Sequence, residues 1–475
     1  MRNRRLETTD SLLSQSAHVQ RSRRARFFAV PRVEQLEDRS LLATIFVDDD
    51  AAGAGNGAAW GTAYNDLQAA LTNATSGDEI WVAAGAYKPT SGTDRTISFN
   101  LKSGVSLYGG FTGAESVLSD RDWVANVTTL SGDIGTVGNN ADNSYHVVYA
   151  MGVASTAVLD GFKVTGGNAN GSSFPHYYGG GIYNYNFSAP TLANLTLSGN
   201  SASGGGGGIN NNYFSSPTLT NVTLSGNAAG ANDGGGMANY TSSSPTLTNV
   251  TFTANSARYG GGIHNNDSSP TLTDVTLSNN TATIAGGGIS NNTRSSPILT
   301  NVTLSGNSAN EGGGVWSNLS SPTLTNVRLT DNFADVRGGG IYNYHSSPTL
   351  THVEISNNRA NGTGSNDGGG GIYNDNNSSP TLTTVTFTGN SAGNYGGGIY
   401  NDHSSSPTLT NVTLSDNSAR VGGGITNTNY SSPTLTNITL DANSAQSGGG
   451  IYNYYSSSPI LTNVTLSPFC KCGGW

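Results

Sequence analysis

Val222-Thr223-Leu224 sets a polar residue between two apolar ones, the period-two spacing of a strand, and the same triplet returns along most of the chain. Aligning the returns gives eleven copies of a pattern close to GGGIYN-xx-SSPTLTNVTLSGNSA, beginning at Gly179, Gly206, Gly234, Gly260, Gly286, Gly312, Gly338, Gly369, Gly396, Gly422 and Gly448. The steps are 27, 28, 26, 26, 26, 26, 31, 27, 26 and 26 residues. One column is Leu in every copy, from Leu192 to Leu461, and a second is Ile except at Met237 and Val315. A third is Val except at Leu195 and Ile438, and a fourth, two residues on, is Leu, Ile or Phe. Ser-Pro and triple Gly separate these strands, and both are turn chemistry.

One copy has too few large apolar side chains to fold alone, so copies must stack, with backbone ladders above and below each. The pattern therefore predicts an all-β solenoid whose strands lie about 4.8 Å apart along its axis. Leu219, Val222, Leu224 and Asn227 also fit the leucine-rich-repeat template, but the residue two after the Asn is Ala (Ala229, Ala257, Ala282) and the return segment holds a single Ile. A parallel β-helix is the better fit.

Composition agrees with a repeat rather than an ordinary enzyme domain: 65 Gly and 11% charged residues in 475. The 35% hydrophobic content leaves enough apolar surface to bury, which excludes disorder. No run reaches the roughly 18 apolar residues of a membrane helix. Residues 1–44 hold nine Arg against five acids, which leaves twelve Lys+Arg against twenty-five Asp+Glu in the remainder, 12 − 25 = −13. No lysine occurs between Lys163 and Lys471, which argues against a nucleic-acid partner.

The pairing of GGGI with L/F-x-x-N, as in Gly260 to Ile263 and Phe252 to Asn255, resembles the repeats of chlamydial polymorphic outer membrane proteins. That resemblance covers roughly residues 145–467, with Leu mostly replacing the Phe. It implies a right-handed, pectin-lyase-like β-helix and a place at the cell surface, outer membrane or outside the cell.

Residues 45–90 read as a capping region. The stretch Ala63 to Ala74 places Tyr64, Leu67, Leu71 and Ala74 on one helical face with Thr62 as N-cap, an amphipathic lid for the first coil. Residues 91–178 read as irregular early coils and 179–467 as the eleven regular ones. The basic arm, 1–44, has no apolar core of a standard secretory signal. Its SRRARFF stretch hints at twin-arginine export, and VEQLEDRSLLA resembles the LEPRxLL segment of planctomycete surface and secreted proteins, with Asp38 at the usual Pro. The tail, 468–475, breaks the pattern as though the reading frame were truncated or shifted, and Cys470 and Cys472 lack the further ligands of a metal site.

Two recurrent Asn columns, after Ile-Tyr and in L-x-x-N, are expected to stack as amide ladders. The column after Ile should point away from the core. It contains Trp316, Tyr342, Tyr373 and Tyr400 in successive coils, an aromatic stripe suited to stacking sugar rings. Asp375 and Asp402 share another column, with His345 and His403 one position further on, and calcium is a conceivable occupant of that acid pair. Otherwise no cofactor is expected. Arg328 and Glu354 face each other in neighbouring coils as a cross-strand pair.

These readings converge on a surface-exposed or secreted adhesion or structural module that binds polysaccharide or cell-surface glycans through weak contacts repeated along one face. The copies are nearly uniform and the six repeat Arg are scattered among columns, so the chain is expected not to be an enzyme. A secreted polysaccharide lyase or glycoside hydrolase of the same fold is the alternative.

Overall fold

In a coil, four backbone corners decide the path. The column Asn194, Asn221, Asn249 and Asp274 takes φ between +51° and +56°, so one left-handed residue bends the chain between its Leu strand and its Val-x-Leu strand. A second corner, at Gly199, Gly226, Ala254 or Asn279, follows. The first Gly of each triplet is the third, and a left-handed pair such as Asn186-Phe187 before Ser-Ala-Pro or Tyr213-Phe214 before Ser-Ser-Pro is the fourth. Asn and Asp tolerate this conformation better than other non-Gly residues, which accounts for their abundance at the corners.

The computed structural model describes residues 43–52 and 55–467, and these wind as a right-handed parallel β-helix of about fourteen turns. Among the described residues, 22 strands join in a first sheet that carries the Leu and Val-x-Leu columns, and 13 in a second that carries the Ile-x-Asn column. A third, six-stranded sheet lies beside the Ala column. Pairing is parallel and column on column: Leu219 sits opposite Leu247, Val222 opposite Val250 and Ile263 opposite Ile289. The aliphatic columns fill the lumen as one core, with Leu219, Leu247 and Ile209 fully buried.

Polar columns are buried among them. In the L-x-x-N ladder, Asn280 Nδ2 donates to Asn307 Oδ1 at 3.0 Å and Asn307 Nδ2 to Asn332 Oδ1 at 3.0 Å. The same Asn307 oxygen takes the Asn280 backbone N–H (3.0 Å), while its amide donates to the Leu277 carbonyl (3.0 Å). The second ladder runs Asn184 to Asn211 to Asn239 to Asn265 at 2.7–2.8 Å. A serine column adds backbone N–H bonds to the next coil's hydroxyl, Ser215 to Ser243 at 2.9 Å and Ser320 to Ser346 at 3.0 Å. Burial of these amides is tolerable because they bond to their copies one coil away and to backbone carbonyls; Asn184 Oδ1, at the start of the second ladder, and Asn343 Oδ1, which follows Ser317, are the buried ladder oxygens left without a partner among the described residues. Arg328 and Glu354 pair across strands at 3.0 Å, both well exposed, a contact worth under about 1 kcal/mol.

At the N-terminal end, the helix Leu67–Asn73 lays Leu67, Ala70 and Leu71 into the core. It begins later than the sequence pattern places it. Thr62 instead closes a 3-10 turn, Trp60–Thr62, and Asp66 is the N-cap, accepting from the Gln68 N–H at 2.9 Å. Tyr64 lies before the helix and bridges to Val47, so the helical face starts at Leu67. The basic arm up to residue 42, with its export-like segments, and the Cys470-x-Cys472 tail lie outside the described residues. Among the described residues no helix is long and apolar enough to cross a membrane.

The ladders carry a direct expectation. Replacing Asn307 by Ala removes the acceptor of the Asn280 amide and backbone N–H and takes one donor from the Leu277 carbonyl, at a cost of about 1–3 kcal/mol. Amide exchange in the adjoining coils should quicken, and exchange rates equal to the parent's would show that the ladder contributes nothing.

Candidate functional site

The column after Ile lies outside the lumen, as alternation requires, but it is not a surface. Tyr342, Tyr373 and Tyr400 are buried in a cluster of their own, separate from the aliphatic core, with Trp316 partly buried beside them. Their rings stack with centroids 5.1 and 4.7 Å apart and planes 9° apart. The expectation that Trp316, Tyr342, Tyr373 and Tyr400 present faces to sugars is therefore corrected. Each glycine triplet turns the chain back over the column. A Cβ placed on Gly312, whose φ is +61°, would lie 2.6 Å from the Val315 carbonyl oxygen and 2.9 Å from the Trp316 Cβ. The segment ahead of the triplet then forms a second layer, as when Tyr395 packs 5.2 Å from Tyr400. Strand periodicity gives no sign of that layer, whereas the invariant glycine is its sequence signal.

The same layer gathers the acids. Tyr342 Oη donates to Asp375 Oδ2 at 3.4 Å and Tyr373 Oη to Asp402 Oδ2 at 3.3 Å. His403 Nδ1 stands 2.9 Å from Asp375 Oδ1 and 3.1 Å from Asp402 Oδ2. Asp375 and Asp402 are thus brought together as their shared column implies, with His403 between them. His345 is exposed and instead packs its ring against Tyr344. Burial pushes the phenols of Tyr342, Tyr373 and Tyr400 well above their ordinary value, and the neighbouring carboxylates add to it. Nearby, Arg337 bridges Glu311 (3.4 Å) and Asp367 (3.5 Å), the latter from the long 31-residue step. Burial raises the Glu311 carboxyl despite Arg337.

An accessible cleft lies elsewhere, in the early coils. Later coils turn between the two halves of the first sheet on one left-handed residue. Between Ser106–Phe111 and Thr128–Ser131 the chain instead inserts residues 112–127, which stand over the outer face of that sheet. Arg121 pins the insertion. Its guanidinium donates to the carbonyls of Gly109 and Asp160 (3.2 Å each) and pairs with Asp160 Oδ2 at 2.8 Å, while lying over Tyr108 and Trp123. Trp60 Nε1 holds its near end through the Glu115 carbonyl at 2.9 Å. Between insertion and sheet opens a cleft of about 470 Å³, lined by Trp123, Val124, Val127, Lys163, Asn194, Thr196, Ser198, Asn221 and Thr223. Trp123 is 39% exposed there. An amide relay orders one wall: Asn194 Nδ2 donates to Asp160 Oδ1 at 2.7 Å and Asn221 Nδ2 to Asn194 Oδ1 at 3.1 Å. The repeat pattern does not mark this cleft because residues 112–127 have no counterpart in the copies, although Lys163 stands in register with Thr196; that interruption was itself the available signal.

Comparison with known proteins agrees with the fold. Residues 287–467 match the family described as right handed beta helix region, and residues 52–272 match a family of unknown function, DUF1565. No curated protein matches the chain. Among solved structures, the chain is similar to the catalytic domain of a GH87 alpha-1,3-glucanase in complex with nigerose (12% identity, TM-score 0.42, 84% of this chain and 64% of that one). It is also similar to pectate lyase Pel9A (12%, 0.33, 92% and 82%) and to the A-module of the Azotobacter vinelandii mannuronan C-5 epimerase AlgE6 (14%, 0.33, 84% and 93%). The chain thus spans less than two thirds of the glucanase domain. The expectation that this chain is not an enzyme is overturned by these neighbours, which are catalytic β-helix proteins.

The outer layer has a consequence for acid stability. His146 is buried against Tyr149 and Tyr183, and burial pushes its imidazole down to about 4, although its Nδ1 meets the Gly179 carbonyl at 3.0 Å. Burial also lowers His264, against the pull of Asp233. An unfolded chain takes up the proton near pH 6.5 that folded His146 refuses, so stability present above pH 6.5 is lost as pH falls towards 4. His146 alone accounts for about 3 kcal/mol of that loss. Denaturant titrations at pH 7 and pH 4 should show it, with a smaller drop in His146→Gln; an equal drop in both proteins would exclude His146 as the source.

Proposed function

We propose that this β-helix binds polysaccharide in the cleft between residues 112–127 and the outer face of the first sheet, as a module displayed on the cell surface or secreted. The observation that carries the reading is an exposed indole, Trp123, fixed by the Arg121 guanidinium over its ring and lining one cleft with a row of amides and hydroxyls. A sugar ring stacks its apolar face on such an indole while Asn194, Asn221, Thr196 and Thr223 bond its hydroxyls. Thr196 and Thr223 are register neighbours, and Thr251 continues the column into the next coil, so an extended chain meets repeated weak contacts. Lys163, exposed on the same column, gives the cleft a cation suited to a uronate carboxylate. The GGGI and L-x-x-N pairing, which resembles repeats of outer membrane proteins, supports the surface placement.

A second reading, action on the bound glycan, is favoured by Lys163: an amine in the cleft is a candidate base for proton abstraction beside a uronate carboxylate. Titration against a panel of neutral and acidic polysaccharides should show Trp123→Ala binding about tenfold more weakly, with an unchanged far-ultraviolet spectrum. Lys163→Ala should lose preference for acidic chains and, on the second reading, any release of unsaturated uronides. Equal affinity of parent and Trp123→Ala for every glycan would eliminate the cleft as the binding seat.

A further inference from the structure

The side chains of Asp375 and Asp402, in adjacent coils, are 8% and 0% exposed. Among the described residues the ion pairs of both carboxylates run to His403 alone. Even a protonated imidazole leaves the group at −1, and the remaining contacts are neutral donors: Tyr342 and Tyr373 hydroxyls, Thr428 and Asn429. A buried negative pair calls for a full counter-charge, which a dication supplies and one imidazolium does not. The spacing is right for one. Asp375 Oδ1, Asp402 Oδ2 and His403 Nδ1 all lie within 4.8 Å of one another, with the nitrogen 2.9 and 3.1 Å from the two oxygens. Ligands bound at about 2.0–2.1 Å to a tetrahedral ion stand about 3.3 Å apart, so small movements open the face to a metal.

The surroundings already orient the ligand atoms. Asp402 Oδ1 is occupied by the His403 N–H (2.9 Å), Thr428 Oγ1 (2.7 Å) and Asn429 Nδ2 (2.6 Å), which turns Oδ2 towards the imidazole. The His403 side chain is 45% exposed, so an ion and a completing water reach it from solvent. We infer that Asp375, Asp402 and His403 bind one divalent ion of the zinc type, which replaces the proton on His403 Nδ1 and ties two successive coils together. The imidazole ligand distinguishes this from calcium, which takes six to eight oxygens.

Chelator-treated full-length protein, with Cys470 and Cys472 alkylated to silence the tail, is dialysed against zinc and then against calcium, and bound metal is counted per chain. The parent should take up one zinc. His403→Asn and Asp375→Asn should each bind it at least tenfold more weakly. Both variants fit the fold: Asn376 occupies the preceding position of the His403 column with φ +52°, and Asn212, Asn266 and Asn292 stand in the Asp375 column. His345→Asn, at the exposed histidine of the same column, should bind like the parent. No zinc uptake by the parent, uptake undiminished in His403→Asn, or calcium uptake lost in Asp375→Asn but kept in His403→Asn would each overturn the assignment.

Discussion

Everything in this protein rests on a hydrogen bond between a group and its own copy one coil away. The amide of Asn280 meets that of Asn307, the N–H of Ser215 meets the hydroxyl of Ser243, and the backbone of Leu219 pairs with that of Leu247. Such contacts require the coils to keep register, because a slip by one residue would take each buried amide away from its partner, setting Asn280 against Gly306 or Ser308 instead of Asn307. The hydrophobic lumen supplies the drive for burial, and the polar ladders decide which arrangement of the columns is tolerated. Near-identity of the repeats is thus a packing requirement: a column bonds to itself only if it keeps one residue type.

That rule also accounts for the places where it is broken. Where the Asn column after Ile reads Ser317, the bond from Asn291 Nδ2 lengthens to 3.4 Å but survives, because a hydroxyl still accepts. Where the following column changes from Asn or Tyr to Asp375 and Asp402, two like charges are stacked instead of two amides, and the site is held by His403 and the tyrosines beneath it. The early coils break register in another way, by lengthening one corner into residues 112–127. An insertion there cannot enter the lumen, so it lies on the outer face, where Arg121 fastens it and a cleft results. Sites in this fold arise where columns are interrupted, because an uninterrupted column has its polar groups already committed to its neighbours.

The two layers of the wall separate what a strand pattern foretells from what it does not. Leu192 to Leu435, the Ile and Val columns and both Asn ladders could be placed from spacing alone, since a period-two strand has two faces and the lumen takes the apolar one. The same alternation assigned Tyr342, Tyr373 and Tyr400 to the outside, and they do stand outside the lumen. Their burial comes from the left-handed glycine ahead of Ile, which brings a distant part of the same coil back across them. Helix α-periodicity likewise located Leu67 and Leu71, but the cap fell to Asp66 because Tyr64 is claimed by a bridge to Val47.

By itself the sequence determined the solenoid, the columns that fill it and the stacking of its amides, because these depend on interactions between like residues at a constant interval. The folded chain decided which outward residues stay outside, which of the acids meet, and where a cleft opens. Those depend on corners and insertions, whose course is set by contacts between residues far apart in the chain, and no repeat interval encodes them.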